Sequence, residues 1–145
     1  MTSRFDDPRR SPGFLLWRVT LQWQRAVRAA LEPVGLTHTQ FVVLAAVWWL
    51  EQETAEPPSQ RRVAELVGID PMTTSQVLRA LEGKGHLSRV DGRADARQKL
   101  IALSREGVRV AEQAVALVEE ADGVFFAAAD ERVLVEQLRS VTASR

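Results

Sequence analysis

The apolar and polar positions of the chain indicate helices along most of its length, interrupted by one pair of short strands. The first helical stretch, residues 13–31, carries apolar side chains on more than one face, which is more than a single contact requires. Pro33 and Gly35 end it. The sequence from Thr37 to Gln40 has the form of a capping box, so it predicts a second helix that runs to about Gln52.

Two short helices are predicted after an acidic, proline-containing loop at 51–59. Ser59 is placed to cap the first, which Gly68 ends. Asp70 is placed to cap the second, and Pro71 takes its first position, where a missing N–H costs nothing. Helical spacing in the second helix predicts a buried stripe of Thr74, Val77, Leu78 and Leu81. Its outward positions are then Met72, Thr73, Ser75, Gln76 and Arg79.

A hairpin and two further helices complete the pattern. Residues 87–90 and 98–103 favour strands, joined by the loop DGRADAR. Ser104 is placed to cap a long helix that runs through Asp122, with Gly123 as its breaker. Asp130 is expected to begin a last helix that ends near Val141.

A helix, a tight turn, a second helix and a hairpin together form the winged helix-turn-helix arrangement. In that arrangement the second helix enters the major groove of DNA and the hairpin tip reaches an adjacent minor groove. The expected fold is mainly α with a small β wing. It has a DNA-binding lobe at 36–104, with the recognition helix at about 71–84 and the wing at about 87–103, and a helical dimerisation region at 12–32 and 105–143.

The outward side chains of the second helix suit the reading of base edges. Thr73, Ser75 and Gln76 carry short hydroxyls or an amide, and Gln pairs well with adenine. Met72 suits a thymine methyl group. Four basic residues are interpreted as phosphate contacts, which set register and affinity without reading sequence: Arg61, Arg62, Arg79 and Lys84.

The hairpin loop concentrates charge at its tip. The planar, weakly hydrated guanidinium of Arg97 suits the electronegative minor groove, and Asp95 is placed to hold it extended through an ion pair. Arg93 is a candidate for the same groove or for a neighbouring phosphate. The alternative is a charged turn that is merely solvated.

Charge is unevenly distributed along a chain whose net charge is +0. Residues 59–105 hold nine Arg or Lys against five Asp or Glu, and the flanks hold ten against fourteen. The cationic segment therefore coincides with the predicted lobe, as expected for a protein that binds a polyanion, although many solvated surfaces carry as much.

The segment SQRRVAELVGIDPMTTSQVLRALEGKGHLSRVDGRADARQKLIALSREG resembles the core of the MarR family of bacterial transcription regulators. The resemblance includes LEGKGHL at 81–87, the Asp95-x-Arg97 wing signature and Leu103-Ser104-x-x-Gly107. GLTHTQFVVLAAV is similar to the family's second helix, so nearly the whole chain is covered. Two departures are Ala96, where arginine or lysine is frequent, and Ser104, where threonine is commoner.

The resemblance implies a homodimer and a sequence-specific regulator, most often a repressor. In the family the N- and C-terminal helices interlace, and two-fold symmetry places the recognition helices about 34 Å apart over a pseudo-palindrome of double-stranded DNA. The chain carries more apolar surface on its terminal helices than one small lobe can cover: Phe14, Leu15, Leu16, Trp17, Val133, Leu134, Val135 and Leu138.

The resemblance also implies a small aromatic or phenolic effector that releases DNA by binding its two states unequally. Trp17, His38 and Trp48 are the candidate pocket residues. The alternatives are that the tryptophans belong to the core and that His38 is an exposed or capping residue.

Other classes of protein are disfavoured. The chain has no cysteine and only two distant histidines, so neither a metal site nor a cofactor is expected. GKGHLS does not match a Gly-rich phosphate loop, and no nucleophilic grouping can be assembled, which argues against an enzyme. No apolar run is long enough for a bilayer, and the N-terminus lacks a secretory signal, so a cytoplasmic protein without membrane contact is expected. The remaining alternative is a winged module that docks a ligand or a protein and does not bind DNA.

Overall fold

The structure, a computed structural model, describes residues 2–143, and most of them are helical. The helices are α1 (Pro12–Leu31), α2 (His38–Thr54), α3 (Gln60–Val67), α4 (Pro71–Gly83), α5 (Arg105–Phe125) and α6 (Glu131–Ala143). The strands are β1 (Leu87–Asp91) and β2 (Lys99–Leu103). Within the described residues no single helix is long and apolar enough to cross a membrane, although the bent pair Pro12–Val34 and His38–Thr54 passes by length and composition.

The helix starts follow the capping chemistry that the sequence predicts. The Thr37 hydroxyl accepts the N–H of Gln40 at 3.1 Å, and the Gln40 amide oxygen accepts the N–H of Thr37 at 3.1 Å. Ser59, Asp70, Ser104 and Asp130 cap α3, α4, α5 and α6, and each accepts the N–H of the residue three positions later. These bonds satisfy donors that the first helical turn leaves without intrahelical partners.

The chain divides into two units, and we call residues 31–117 the lobe. The lobe holds α2, α3, α4, the hairpin and the first part of α5. Its core is aliphatic, and the following side chains have no exposed surface: Val43, Leu44, Val47, Val63, Leu78, Leu81 and Ile101. Thr74 is a buried polar residue in this core. Its hydroxyl is satisfied because it donates to the carbonyl of Asp70 at 2.9 Å. Val77, the remaining member of the predicted stripe, is half-buried.

The hairpin is antiparallel and is anchored at the base of α3. Leu87 pairs with Leu103 and Asp91 with Lys99, which fixes the register. The N–H of Ile101 donates to the carbonyl of Pro58 at 2.8 Å, and Ser59 forms an isolated bridge with Leu100. The residues that precede α3 therefore lie along the outer edge of β2.

The other unit, residues 2–30 and 118–143, is helical and leaves much apolar surface exposed. It holds most of α1, the end of α5 and all of α6, and none of the described residues of α6 is buried. The indole N–H of Trp23 donates to Asp122 at 2.8 Å within this unit. Its exposed apolar side chains are Phe14, Leu15, Leu16, Trp17, Val19, Leu21, Val124, Val133, Val135, Leu138 and Val141.

One predicted helix end and the start of one predicted loop are wrong. Gly123 does not end α5, which continues to Phe125. A glycine inside a helix costs only about 1 kcal/mol, and Asp122 beside it is held by Trp23. Helix α2 runs past Gln52 to Thr54, so the acidic loop that follows is shorter than expected.

Candidate nucleic-acid interface

The cap of α4 holds Thr73, one of the predicted base-contacting residues. Asp70 accepts the N–H of Thr73 at 2.8 Å and its hydroxyl at 2.7 Å. Hydrogen bonds from the side chain and the backbone of Thr73 lower the pKa of Asp70, so this carboxylate remains charged at neutral pH. Because the Thr73 hydroxyl donates to Asp70, it can meet a base edge only as an acceptor.

The rest of the outward face of α4 is accessible. Met72 is 73% exposed, and Gln76 and Arg79 are also exposed. Ser75 is half-buried. The thioether of Met72 lies in the first turn, the amide of Gln76 in the second, and Arg79 follows three residues later. These groups suit base edges flanked by phosphates.

Two of the predicted phosphate contacts lie on the exposed face of α3. Arg61 is exposed and pairs with Glu65 at 3.1 Å, four residues further along the helix. Arg62 is exposed beside it. An exposed ion pair of this kind contributes little to stability, so Arg61 remains available to an external anion.

Lys84 is engaged inside the lobe. Its ammonium donates to the carbonyl of Gly35 at 2.6 Å and to the amide oxygen of Gln40 at 3.1 Å. The end of α4 is thus tied to the loop and capping box that precede α2. This arrangement favours a structural role for Lys84 over the phosphate contact that the sequence suggests.

The wing loop is folded by its own backbone. The N–H of Gly92 donates to the carbonyl of Gln98 at 2.7 Å, and the N–H of Gln98 donates to the carbonyl of Asp95 at 3.1 Å. A Cβ on Gly92 would lie 2.8 Å from the Asp95 carbonyl oxygen, so the turn requires glycine. The charged side chains at the tip of the hairpin are thus carried by a compact backbone turn.

Arg97 projects from this loop into open space. Its side chain is 94% exposed and pairs with Asp95 at 3.5 Å, while its N–H donates to the same carboxylate at 2.9 Å. Arg93 is also exposed. An exposed ion pair adds little stability. That Asp95 holds the guanidinium extended stays a prediction.

One open groove of the lobe, about 940 Å³ in volume, is bordered by several of these elements. Arg61 of α3, Pro71 in the first turn of α4, and Asp95 and Arg97 of the wing all line it. The exposed side of α3, the start of α4 and the wing therefore border one groove. The other predicted contacts lie outside this lining: Arg62, Met72, Thr73, Ser75, Gln76, Arg79, Lys84 and Arg93.

Sequence reasoning did not single out Arg89 and Glu82. Arg89 lies on β1 and pairs with Glu82 of α4 at 3.6 Å. The available signal is strand alternation, because Arg89 shares its face of β1 with the buried Leu87.

A close approach of α5 to the end of α4 was also missed. A Cβ on Gly107 would lie 1.8 Å from the carbonyl oxygen of His86, and the N–H of Ser104 donates to that oxygen at 3.0 Å. Burial, followed by the nearby charge of Lys84, lowers the pKa of His86 and favours the neutral imidazole. The junction between recognition helix and wing is thus closely packed.

The three candidate effector residues are divided between the two units. Trp17 lies on α1 in the helical unit and is 64% exposed. His38 and Trp48 lie on α2 in the lobe and are half-buried. Their assignment to an effector pocket stays a prediction.

Comparison with known proteins decides the class of this fold. A MarR family profile matches residues 36–99. The uncharacterized HTH-type transcriptional regulator YdcH of Bacillus subtilis is 39% identical over 127 residues, which cover 88% of this chain and 86% of that protein. The chain belongs to the MarR family.

Two further similarities support the same conclusion. The HTH-type transcriptional repressor Rv2887 of Mycobacterium tuberculosis is 32% identical over 112 residues, 76% of each protein. CouR of Rhodococcus jostii RHA1, in a crystal structure with bound p-coumaroyl-CoA, has a TM-score of 0.82 and 34% identity, with coverage of 97% of this chain and 94% of CouR. The winged-helix fold is confirmed, and this MarR family member is a transcription regulator of a DNA-binding, non-enzymatic class.

Proposed function

We propose that this MarR family regulator binds a pseudo-palindromic operator as a homodimer and represses transcription there. Helix α4 reads the major groove through Met72, Thr73, Ser75 and Gln76, while the wing places Arg97 in the adjacent minor groove. The supporting observation is the groove that Arg61 of α3, Pro71 at the start of α4 and Arg97 of the wing border together. A role on chromosomal DNA would place the protein in the cytoplasm.

The homodimer is supported by the helical unit. Trp17, Leu16 and Val141 are each more than half exposed, and no described residue of α6 is buried. Exposed apolar surface of this extent on the terminal helices is typical of an interface. A second copy of the chain would cover it and place two α4 helices about one DNA turn apart.

Repression and release by an effector rest on the relatives. Rv2887 is named a repressor, and CouR holds an aromatic acyl thioester. We therefore propose a small aromatic effector for this chain, with Trp17, His38 and Trp48 as its candidate contacts. Release requires only that the effector bind the DNA-competent state less well than the other state.

Selection of bound sequences from a random duplex pool tests the DNA-binding role. Enrichment of a pseudo-palindrome with half-sites about 10 base pairs apart supports both the recognition surface and the dimer. The affinity for that duplex should fall steeply with salt, because phosphate contacts release counterions. Failure to bind any duplex at low salt would instead favour a winged module that docks a ligand or protein.

The effector is tested separately, with the selected duplex as the reporter. p-Coumaroyl-CoA is added to the complex, and free CoA serves as the control. Release by the thioester alone supports an aromatic acyl effector, and loss of release in Trp17→Ala or Trp48→Ala supports the assigned contacts. Release by neither compound removes p-coumaroyl-CoA as the effector and leaves the DNA-binding role intact.

A further inference from the structure

Arg89 occupies an unusual place for an arginine. It lies on the inward face of β1 with the buried Leu87, and it pairs across the hairpin with Ile101, which has no exposed surface. Its side chain is only 22% exposed. Arginine is mostly exposed in folded proteins, and enclosed arginines are usually paired.

Among the described residues, the side chains that bond to Arg89 lie on α4. Its guanidinium is 3.6 Å from one oxygen of Glu82, and its backbone N–H donates to the other oxygen at 3.2 Å. The Nη1 group donates to the hydroxyl of Ser75 in a long contact of 3.5 Å. Ser75 and Glu82 are two helical turns apart, so Arg89 spans the side of α4 that faces the hairpin.

Packing alone does not account for this arginine. A partly enclosed ion pair loses hydration, and an apolar side chain of similar volume often stabilises a fold at least as well. The Nε of Arg89 is buried and has no hydrogen-bond partner among the described residues, which adds to the cost. What the guanidinium supplies is a fixed direction for two groups on α4.

The bond to Ser75 determines which way that hydroxyl can act. A serine hydroxyl has one hydrogen to donate and lone pairs that accept. Because Ser75 accepts from Arg89, its own hydrogen is left for an acceptor on the exposed side. In the major groove such acceptors are purine N7, guanine O6 and thymine O4.

We propose that Arg89 is a positioning residue for base recognition, which clamps β1 to α4 through Glu82 and sets Ser75 to donate to an acceptor on a base edge. This inference rests on the proposed DNA-binding function. Arg89 does not itself touch DNA, so it contributes to sequence preference and leaves the count of phosphate contacts unchanged.

The test compares Arg89→Met, Ser75→Ala and the double variant. Each is measured on the selected operator and on random duplex, at several salt concentrations. Arg89→Met should lower the ratio of operator to random affinity about 3- to 10-fold, the value of one hydrogen bond, with an unchanged salt slope. In the Ser75→Ala background the same substitution should lower the ratio much less, because the group that it orients is gone.

Arg79→Met is the matched control. Arg79 is an exposed arginine on the same helix, and its loss should weaken both duplexes alike and reduce the salt slope by about 1. Arg89→Lys keeps the charge and lacks the planar fork, so it should not restore the ratio. It also replaces Arg89→Met as the test if the methionine variant does not fold, as judged by its melting temperature.

The possible results distinguish the positioning role of Arg89 from the proposed DNA-binding function. A parent protein that prefers no sequence overturns both. A parent that selects an operator, together with folded Arg89 variants that keep the full ratio, overturns the inference alone. A fall in the salt slope of Arg89→Met with an unchanged ratio would make Arg89 a phosphate contact and would also overturn it.

Discussion

Helix α4 and the wing loop present two different kinds of surface. The outward face of α4 belongs to a helix whose other side, including Leu78 and Leu81, is fully buried, so its positions are fixed by the core. Every residue from Arg93 to Lys99 is exposed, and the loop is held mainly by its own backbone bonds. Under the proposed function, α4 supplies the sequence preference, and the wing supplies positive charge that adapts to a DNA groove.

The largest loss of stability is expected where α5 packs against His86, in the segment that joins α4 to β1. Gly107→Ala places a Cβ 1.8 Å from the carbonyl oxygen of His86, so α5 must move away from the end of α4. We expect the free energy of unfolding to fall by about 3 kcal/mol or more, measured by denaturant unfolding.

Gly83→Ala is the control for that substitution. No described atom lies within 4 Å of a Cβ on Gly83, and the residue is helical. Its unfolding free energy should stay level or rise by up to about 1 kcal/mol. Equal behaviour of the two variants would contradict the close packing at the junction.

Loss of the wing charge should have the next largest effect. Arg97→Ala removes an exposed guanidinium whose one ion pair within residues 2–143 is with Asp95 at the surface, so stability should be unchanged. Operator binding should weaken by about 1–3 kcal/mol and its salt slope should fall, as measured by fluorescence anisotropy. Arg132→Ala, an exposed arginine on α6, is the matched control, and an equal loss there would remove the special role of the wing.

Loss of a base-reading side chain should weaken binding to the operator and not to random duplex. Gln76→Ala should weaken the operator complex by about 1–2 kcal/mol, because a bidentate contact to adenine is lost, and should leave random duplex and the salt slope unchanged. The same anisotropy assay measures both. If both duplexes weaken equally, Gln76 contacts the backbone and the proposed division between α4 and the wing is wrong.

The smallest effect is expected at Lys84, which ties α4 to the loop before α2. Lys84→Met removes bonds to the Gly35 carbonyl and the Gln40 amide, and it should lower the free energy of unfolding by about 1 kcal/mol. The salt dependence of operator binding should not change. A lower salt slope with unchanged stability would restore Lys84 as a phosphate contact.

Local chemistry explains what the sequence predicts well. The caps at Thr37, Ser59 and Asp70 need only side chains within three residues, so they can be identified from sequence and are present in the structure. The winged-helix fold follows from the order of elements that these caps begin. Gly123 does not end α5, because a helix held by tertiary contacts tolerates a glycine.

Contacts between distant residues explain what the sequence does not predict. The bonds of Lys84 to Gly35 and of Arg89 to Ser75 join different elements, and nothing in the spacing of the residues marks them. The approach of Gly107 to His86 is of the same kind. In each case the contact joins two elements of the lobe that are distant in sequence.

Tethered cleavage of DNA tests most directly whether α4 and the wing meet one duplex together. The chain has no cysteine, so an iron chelate can be attached at Met72→Cys, at Ala96→Cys or, as a control on α6, at Ser140→Cys. The first probe should cut within each half-site and the second in the neighbouring minor groove of the same operator. Cleavage from Ala96→Cys no stronger than from Ser140→Cys would show that the wing does not reach the DNA that α4 binds.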